Sequence, residues 1–598
     1  MIGGGGAGLR AAIEARETLK KGKVLIATKG ILGKSGVTAT ACSDRMAFHA
    51  TLPYTEPQGP DNWKYHAEDI YRIGGHVSDG DLALILAKEA REAFEYLDRL
   101  GVPFVKKKDG RADQFFTDGS EHARACYTGP RTANHIEEAL LSKASSMDIG
   151  VINHCMMTEL IPYRGRVIGA FGIDEWEDKV EKRLQVFYAK TVILATGGAG
   201  EVYGIHVFPI CMTGDGYAMA YRAGAELVNM EFIQIGLSSI KTRLACSGSM
   251  MRAIPRFLND EGREFLSGYF PGTPVKKICN LVFEKGATWP VSLEKKTHLI
   301  DVAVFKEMTK ACRIFLDYSA NPRDFRFQDL TALWQERYKR EIKNKKRDEE
   351  RDESPLHRLE EINPDSIRWL KEYGINLHAG DRIEIAPSVQ HFQGGVKIGE
   401  RATTSLKGLY AAGECAGGQH GANRPGGNAL LDGQVFGKIA GREAALEATS
   451  IRIRKEVSFS QVKSYLTQLK RISPGKKAAE VRREIHSVAS QFASVVRTEE
   501  GLKQGLKILG RLKREGISPD EKGLVFALET RNLLDVTEMV FRACLLRKES
   551  RGPHLFFKHL EDLSPLPSQD PIWRKYIVIQ NQKGKMVLKK KTPIEMKR

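Results

Sequence analysis

Long apolar runs are missing from this sequence. Nowhere do about eighteen consecutive apolar residues occur, the length a helix needs to cross a bilayer. No membrane span is therefore predicted. No basic and apolar leader opens the chain, so the expected location is cytoplasmic. Paired cysteines are also missing. The nine cysteines, at 42, 126, 155, 211, 246, 279, 312, 415 and 544, are scattered, and none forms a C-x-x-C pair. Such a set reads as reduced thiols and excludes a disulfide framework. Grouped thiolates are absent too, which speaks against an iron–sulfur cluster on this chain and predicts no metal site. Repeats of the solenoid kind are not found.

What is present is an ordinary globular composition of 598 residues, 42% apolar and 28% charged, long enough for several domains. The net charge is +18. A charge of that sign points to an anionic substrate or an acidic partner. Much of it is local, in Lys339 to Arg351 and Lys583 to Lys591, and such runs are most often solvated faces. Nothing in the pattern asks for nucleic acid.

The chain opens as a β-α-β unit. A helix is predicted from Leu9 to Leu19 and a strand from Val24 to Ala27. Ala83 to Leu100 has apolar residues at helical spacing, and Thr191 to Ala195 reads as a strand. Glycine is dense again from about 375 to 445, and residues from about 455 to 550 read as helical.

Three glycines, Gly3, Gly5 and Gly8, fit G-x-G-x-x-G within Gly3-Gly4-Gly5-Gly6-Ala7-Gly8. Glycine lets the backbone turn sharply and approach a pyrophosphate, and the following helix offers N–H groups and a partial positive charge. A helix and a strand follow at the right distance, which makes a dinucleotide site the best reading. Two elements of the pattern are short: the first strand is only Met1-Ile2, and Thr28-Lys29 stands where an acidic residue usually holds a ribose hydroxyl.

Further blocks follow in order: Ala195-Thr196-Gly197-Gly198, Thr213-Gly214-Asp215-Gly216, Gly408-Leu-Tyr-Ala-Ala-Gly413-Glu414, and His420-Gly-Ala-Asn-Arg424-Pro-Gly-Gly427-Asn428-Ala429-Leu430-Leu-Asp432. With these the chain resembles the flavoprotein subunits of succinate dehydrogenase and fumarate reductase, and L-aspartate oxidase. The resemblance covers roughly residues 1 to 450, with a weaker echo beyond. It implies an α/β fold: a Rossmann-like FAD-binding domain (1–225 and 366–448) interrupted by an α+β capping domain (226–365). A helical domain (449–560) and a basic tail segment (561–598) would follow. It implies FAD as cofactor. Gly3, Gly5, Gly6, Ala7 and Gly8 would hold the pyrophosphate, with Thr28 and Lys29 at the adenosine side. Ser35, Gly36, Thr38 and Ala39 would line the ring or phosphate side. Ala195, Thr196, Gly197 and Asp215 would make further cofactor contacts, Gly413 and Glu414 would approach the ribitol, and Gly427, Asn428, Ala429 and Leu430 would face the ring.

The reacting half of the pattern departs from the family. Where respiratory members carry a flavin-linked histidine, this chain reads Ser35-Gly36-Val37-Thr38, so the flavin is predicted to be non-covalent. The histidine of a substrate-binding stretch is replaced by Gly236, and Ser247-Gly248 stands for Thr-Glu. The segment with the proton-donating arginine aligns with Leu299-Ile300-Asp301-Val302-Ala303; Arg252 and Lys295 are candidates to replace that cation in space. His391 and Arg424 match carboxylate-binding positions, and an arginine fork suits a planar carboxylate. The structural alternatives are a packing histidine and an arginine that neutralises reduced flavin.

Two functions follow from the resemblance. In the first, an FAD-dependent oxidoreductase moves electrons between a small carboxylate substrate, held by Arg424 and His391, and an iron–sulfur partner subunit. The lost residues speak against ordinary fumarate or succinate turnover. In the second, the chain is an electron-transfer subunit of a larger iron–sulfur complex, without dicarboxylate turnover. In either, membrane association would be peripheral, at the inner face and through partners.

Overall fold

The computed structural model describes the chain apart from residues 42, 44–45, 118–119, 176–182, 289, 343–353, 453–458, 471–474 and 597–598. Most of the basic run Lys339 to Arg351 lies outside the described residues.

A parallel sheet organises the nucleotide half. Strand Leu409–Ala411 pairs with Val192–Leu194, and Leu25–Ala27 pairs with Gly150–Ile152. Ile2 bridges the two pairs, through parallel contacts to Leu194 and Ala27. The Ile2 amide donates to the Ile193 carbonyl at 2.9 Å, and the Ala27 amide to the Met1 carbonyl at 2.9 Å. Two residues thus fill the central strand position, because their backbone groups are paired on both sides.

Two helices pack across this sheet. The first, Gly6–Thr18, buries Leu9, Ala11, Ala12 and Ile13. The second, Asn428–Ser450, meets it through Gly433, Gly437 and Gly441, which lie on one face at a spacing of four. A Cβ on Gly437 would stand 2.8 Å from the Ala7 carbonyl oxygen, and one on Gly441 2.3 Å from that of Ala11. Glycine at these positions lets the helices touch backbone to backbone, and that contact brings both of their N-termini to the same end of the sheet.

A second hydrophobic core lies in the interrupting segment. Its four-stranded antiparallel sheet runs in the order Ile233–Ser239, Ile383–Phe392, Ile314–Asp317, Arg256–Asn259. The core extends through Ile367, Leu370 and Leu377 to Ile385, past the return expected at 366. The reason is pairing: strand Ile383–Phe392 completes this sheet before the chain re-enters the nucleotide half.

The C-terminal helices are Phe459–Lys470, Ala478–Phe492, Glu499–Glu515 and Gly523–Leu546. The third shows why the sequence makes helix here: Thr498 caps it by accepting from the Gly501 amide at 3.1 Å, with acids in its first turn and bases in its last. The stretch expected as one helix from Ala83 is two, Gly80–Lys88 and Ala90–Arg99. The basic tail is a hairpin, Tyr576–Gln582 with Lys585–Lys591, joined to Leu227–Val228 in a five-stranded sheet. Lys585, Lys589 and Lys590 are exposed while the consecutive Ile577, Val578 and Ile579 of the paired strand are buried, so the run that composition alone reads as tail is the edge strand of a sheet.

Candidate active site

One cavity of about 860 Å³ opens at the C-terminal edge of the parallel sheet. Its floor is the glycine loop. Gly3 has φ +103°, a left-handed conformation that favours glycine, and a Cβ there would lie 2.2 Å from the Ala195 carbonyl oxygen. Gly5 is the N-cap of the first helix and offers no side chain to it, so that helix end faces the cavity with backbone alone. The Gly6 amide donates to Thr38 Oγ1 at 3.2 Å. Gly427, at φ +100°, caps the second helix in the same bare way, and Ala429 and Leu430 follow it along the wall. Two helix N-termini therefore converge where negative charge would sit.

Most of the residues expected at the cofactor line this cavity: Gly3, Gly5, Gly6, Ala7, Thr28, Lys29, Ser35, Gly36 and Thr38 from the first third of the chain. Ala195, Thr196, Gly197, Asp215, Gly413, Glu414, Gly427, Ala429 and Leu430 join them from later segments. Three do not. Gly8 lies behind the loop, where a Cβ would meet the Gly3 carbonyl oxygen at 2.2 Å; it packs helix on strand and does not touch the cavity. Ala39 turns away, its carbonyl accepting from Asn134 Nδ2 at 2.6 Å. Asn428 is fully buried beneath the wall, its Oδ1 2.8 Å from His49 Nδ1 and 3.0 Å from His66 Nε2.

At one end Lys29 sits between carboxylates. Its Nζ lies 2.7 Å from Asp215 Oδ2, 2.7 Å from Glu529 Oε1 and 2.9 Å from Thr213 Oγ1. Burial opposes its charge, but the two carboxylates raise its pKa above the ordinary lysine value. Burial would also raise the Asp215 carboxyl; Lys29 and the surrounding hydrogen bonds outweigh that and hold it below its ordinary value. Farther along, Glu414 is pushed up to about 8, burial being the main cause, while the Phe392 amide donates to its Oε1 at 2.9 Å.

The other end is built from the capping segment and carries cations. Arg424 is buried; its Nη2 donates to Gln234 Oε1 at 2.9 Å, and Gln234 Nε2 donates back to the Arg424 carbonyl at 3.0 Å. This exchange fixes the guanidinium against strand Ile233–Ser239. His391 lies in the paired strand, its Nδ1 accepting from Gln393 Nε2 at 3.2 Å. Burial, Arg424 and His420 together hold its pKa well below the ordinary histidine value, so the ring is neutral. Arg252 lines the same end from helix Gly248–Arg252, its Nη2 donating to the Gly286 carbonyl at 3.2 Å. Ser247, Ser249 and Asn363 stand nearby in the lining. Lys295, the other candidate cation, does not line the cavity.

The aligned segment around Ile300 is cap interior. Ile300 is fully buried, and Asp301 forms a buried ion pair with Lys285 at 2.6 Å. Burial raises the Asp301 carboxyl to about 6. Of the cavity's carboxylates, Asp215 and Glu529 lie on Lys29 and Glu175 lies 3.6 Å from His154, while Glu414 is near enough to Arg424 for the guanidinium to offset part of its burial. Sequence reading had no means of placing Glu529 or Arg482 here, because both come from the C-terminal helices. Among the described residues no cluster of His, Cys, Asp and Glu is arranged to hold a metal, and no helix is long and apolar enough to cross a membrane.

The arrangement fits a dinucleotide flavin. Glycines stand where a Cβ would fill the cradle, two bare helix ends face the middle, and the cavity is long enough to join an ion-paired lysine to a pair of guanidinium groups. Comparison with known proteins agrees. Residues 1–430 match the FAD binding domain family, and residues 482–598 match the fumarate reductase flavoprotein C-terminal family. The chain is 31% identical over 599 residues to a subunit of the fumarate reductase (CoM/CoB) of Methanothermobacter marburgensis, covering 97% of this chain and 96% of that protein. It is 26% identical to Sdh1 of Mycobacterium smegmatis, with TM-score 0.78 over 99% of this chain and 93% of the other. Quinol fumarate reductase of Escherichia coli shares the fold at TM-score 0.78 and 22% identity, over 99% and 96% of the two chains.

Proposed function

The chain belongs to the fumarate reductase flavoprotein family of FAD-dependent oxidoreductases, and from that premise we propose that it moves electrons between a small carboxylate and an iron–sulfur protein. The hydride chemistry is that of FAD when bound. The chain's own part is to bind, orient and shield. Gly3, Gly5, Gly6 and Ala7 would hold the pyrophosphate, and the N-terminus of the Asn428 helix would favour negative charge on the reduced ring.

The observation that carries the reading is the convergence of Arg424, His391 and Arg252 on one end of the cavity. Two guanidinium groups there favour an anion, since the nearby lining carboxyl, Glu414, is pushed up to about 8 and is neutral below that pH. The neutral His391 adds one hydrogen-bond donor. Arg252 answers the loss of the family arginine near Ile300: a cation is present, delivered by a different helix. This restores fumarate as the first substrate to try, as the name of the Methanothermobacter relative also suggests. The flavin is held without a covalent bond, since Ser35, Gly36 and Thr38 line the wall where the family's histidine would stand.

In this reading the flavin exchanges electrons with a cluster on the partner protein, and the described cysteines of this chain are single free thiols. The test is spectroscopic. Flavin is reduced chemically in the purified chain, and fumarate and other small unsaturated carboxylates are added in turn. Reoxidation by one of them is expected. If none reoxidises the flavin while a co-purifying iron–sulfur protein does, the second reading holds, an electron-transfer subunit without carboxylate turnover. Acid precipitation should leave yellow flavin in the supernatant.

A further inference from the structure

The cavity wall at Lys29 belongs partly to the C-terminal helices. Lys522, Val525, Phe526 and Glu529 all line it. Their spacing, i, i+3, i+4 and i+7, places them on one face of helix Gly523–Leu546, of which Lys522 is the N-cap. Glu529 is pinned there by Lys29 at 2.7 Å, and Arg482 bonds the other Glu529 oxygen at 3.0 Å and Glu201 at 3.0 Å. The Arg482 guanidinium lies 3.6 Å from the centre of the Phe526 ring, and Lys522 Nζ lies 4.7 Å from it. Phe526 is only half-buried and Lys522 is exposed.

This is the adenosine end. In dinucleotide folds the residue after the second strand meets the adenosine ribose, and that residue region here is Thr28-Lys29. The glycine loop lies next to it, and Arg424 and His391 lie at the opposite end. A half-buried aromatic ring with an exposed ammonium against it, both lining the cavity beside the glycine loop, is a surface of the kind that contacts bases by its ring and phosphates by its charge.

We propose that the first turns of helix Gly523–Leu546 are part of the FAD site, with Phe526 contacting the adenine and Lys522 the adenosine-side phosphate or ribose. The C-terminal helical unit then reads the adenosine half of the cofactor, and Arg482 and Glu529 act as positioning residues that hold Phe526 and Lys29 in register.

The experiment is cofactor binding by the whole chain stripped of flavin, followed by quenching of flavin fluorescence as FAD is titrated. Phe526→Ala is expected to weaken FAD binding roughly ten- to a hundredfold, the range of a lost base-stacking contact. Phe526→Trp is expected to restore it to within about threefold, because the stacking surface is kept. Lys522→Ala, at an exposed position where folding is not at stake, is expected to weaken binding by a few-fold and to make it less salt-dependent. Competition by ADP, which carries only the adenosine half, should weaken in parallel. Unchanged FAD affinity in both Phe526→Ala and Lys522→Ala overturns the proposal. So does a Phe526→Trp variant as weak as Phe526→Ala, which would mark simple damage to packing.

Discussion

The two ends of the cavity are made of different material. The nucleotide end is backbone: glycines, strand termini and bare helix N-termini, with Gly3 and Gly427 in left-handed conformations. The cationic end is side chains: Arg252, Arg424 and His391, delivered by a short helix, a loop and a long antiparallel strand. Backbone cradles tolerate little change where a Cβ meets neighbouring main chain, as it would at Gly3 and Gly8. Side-chain constellations can be rebuilt, one cation leaving one helix and another arriving from elsewhere. That difference explains how this chain keeps the family's cofactor half while replacing parts of its reacting half.

Four substitutions test the contrast. The largest effect is expected at Gly8→Ala. The new Cβ would stand 2.2 Å from the Gly3 carbonyl oxygen, which no rotamer relieves, so the chain should lose flavin altogether and melt well below the parent. Flavin content and calorimetry decide it; a Gly8→Ala variant that is yellow and stable would show that the loop is not a rigid cradle. Next is Arg424→Ala. Removing a buried charged donor costs about 2–5 kcal/mol, so kcat/KM with the accepted carboxylate should fall on the order of a thousandfold while flavin content holds. A fall in flavin content instead would move Arg424 to the cofactor end.

Glu414→Gln comes third and concerns the junction between the ends. The carboxyl has an ordinary pKa of 4.5 when unfolded and about 8 when folded. A raised carboxyl pKa means the folded state holds the proton more tightly. Stability of the flavin-free chain should therefore fall as pH rises above 4.5 and level off above about 8. Glu414→Gln removes that slope. Urea unfolding should show the variant gaining on the parent by on the order of a few kcal/mol at pH 9, and little at pH 4. Equal differences at both pH values would mean that Glu414 is already charged in the fold. The smallest effect is expected for Arg252→Gln: kcat/KM down about ten- to a hundredfold, from one lost charge-assisted hydrogen bond, with flavin affinity unchanged. No change would return the search for the cation to other residues.

Legibility in the sequence follows the same line. The glycine loop, the Gly413-Glu414 turn and the run from Gly427 could be read directly, because backbone requirements write themselves as glycine at fixed spacing. Gly8 shows the limit: its motif was visible, but whether it touches ligand or only packs a helix depends on the strand beside it. Asn428, expected from its motif to face the ring, is buried between His49 and His66, partners 379 and 362 residues away in sequence. Ile300 aligned with a catalytic position and is cap core. The tail lysines have the composition of a solvated segment, yet they form the edge strand of a hairpin whose other strand is buried.

By itself, the sequence determined the cofactor class, the order of domains and the two residues, Arg424 and His391, that lie in segments continuous with the glycine blocks. Local chemistry suffices for these, since turns, caps and phosphate loops are specified within a few residues of each other. The tertiary fold alone brings Arg252 into the cavity lining, closes Glu529 on Lys29 and sets Phe526 in the cavity wall. Those pairings span from tens to hundreds of residues. Nothing in local pattern encodes them, because they exist only once two hydrophobic cores and a helical unit have packed around one cavity.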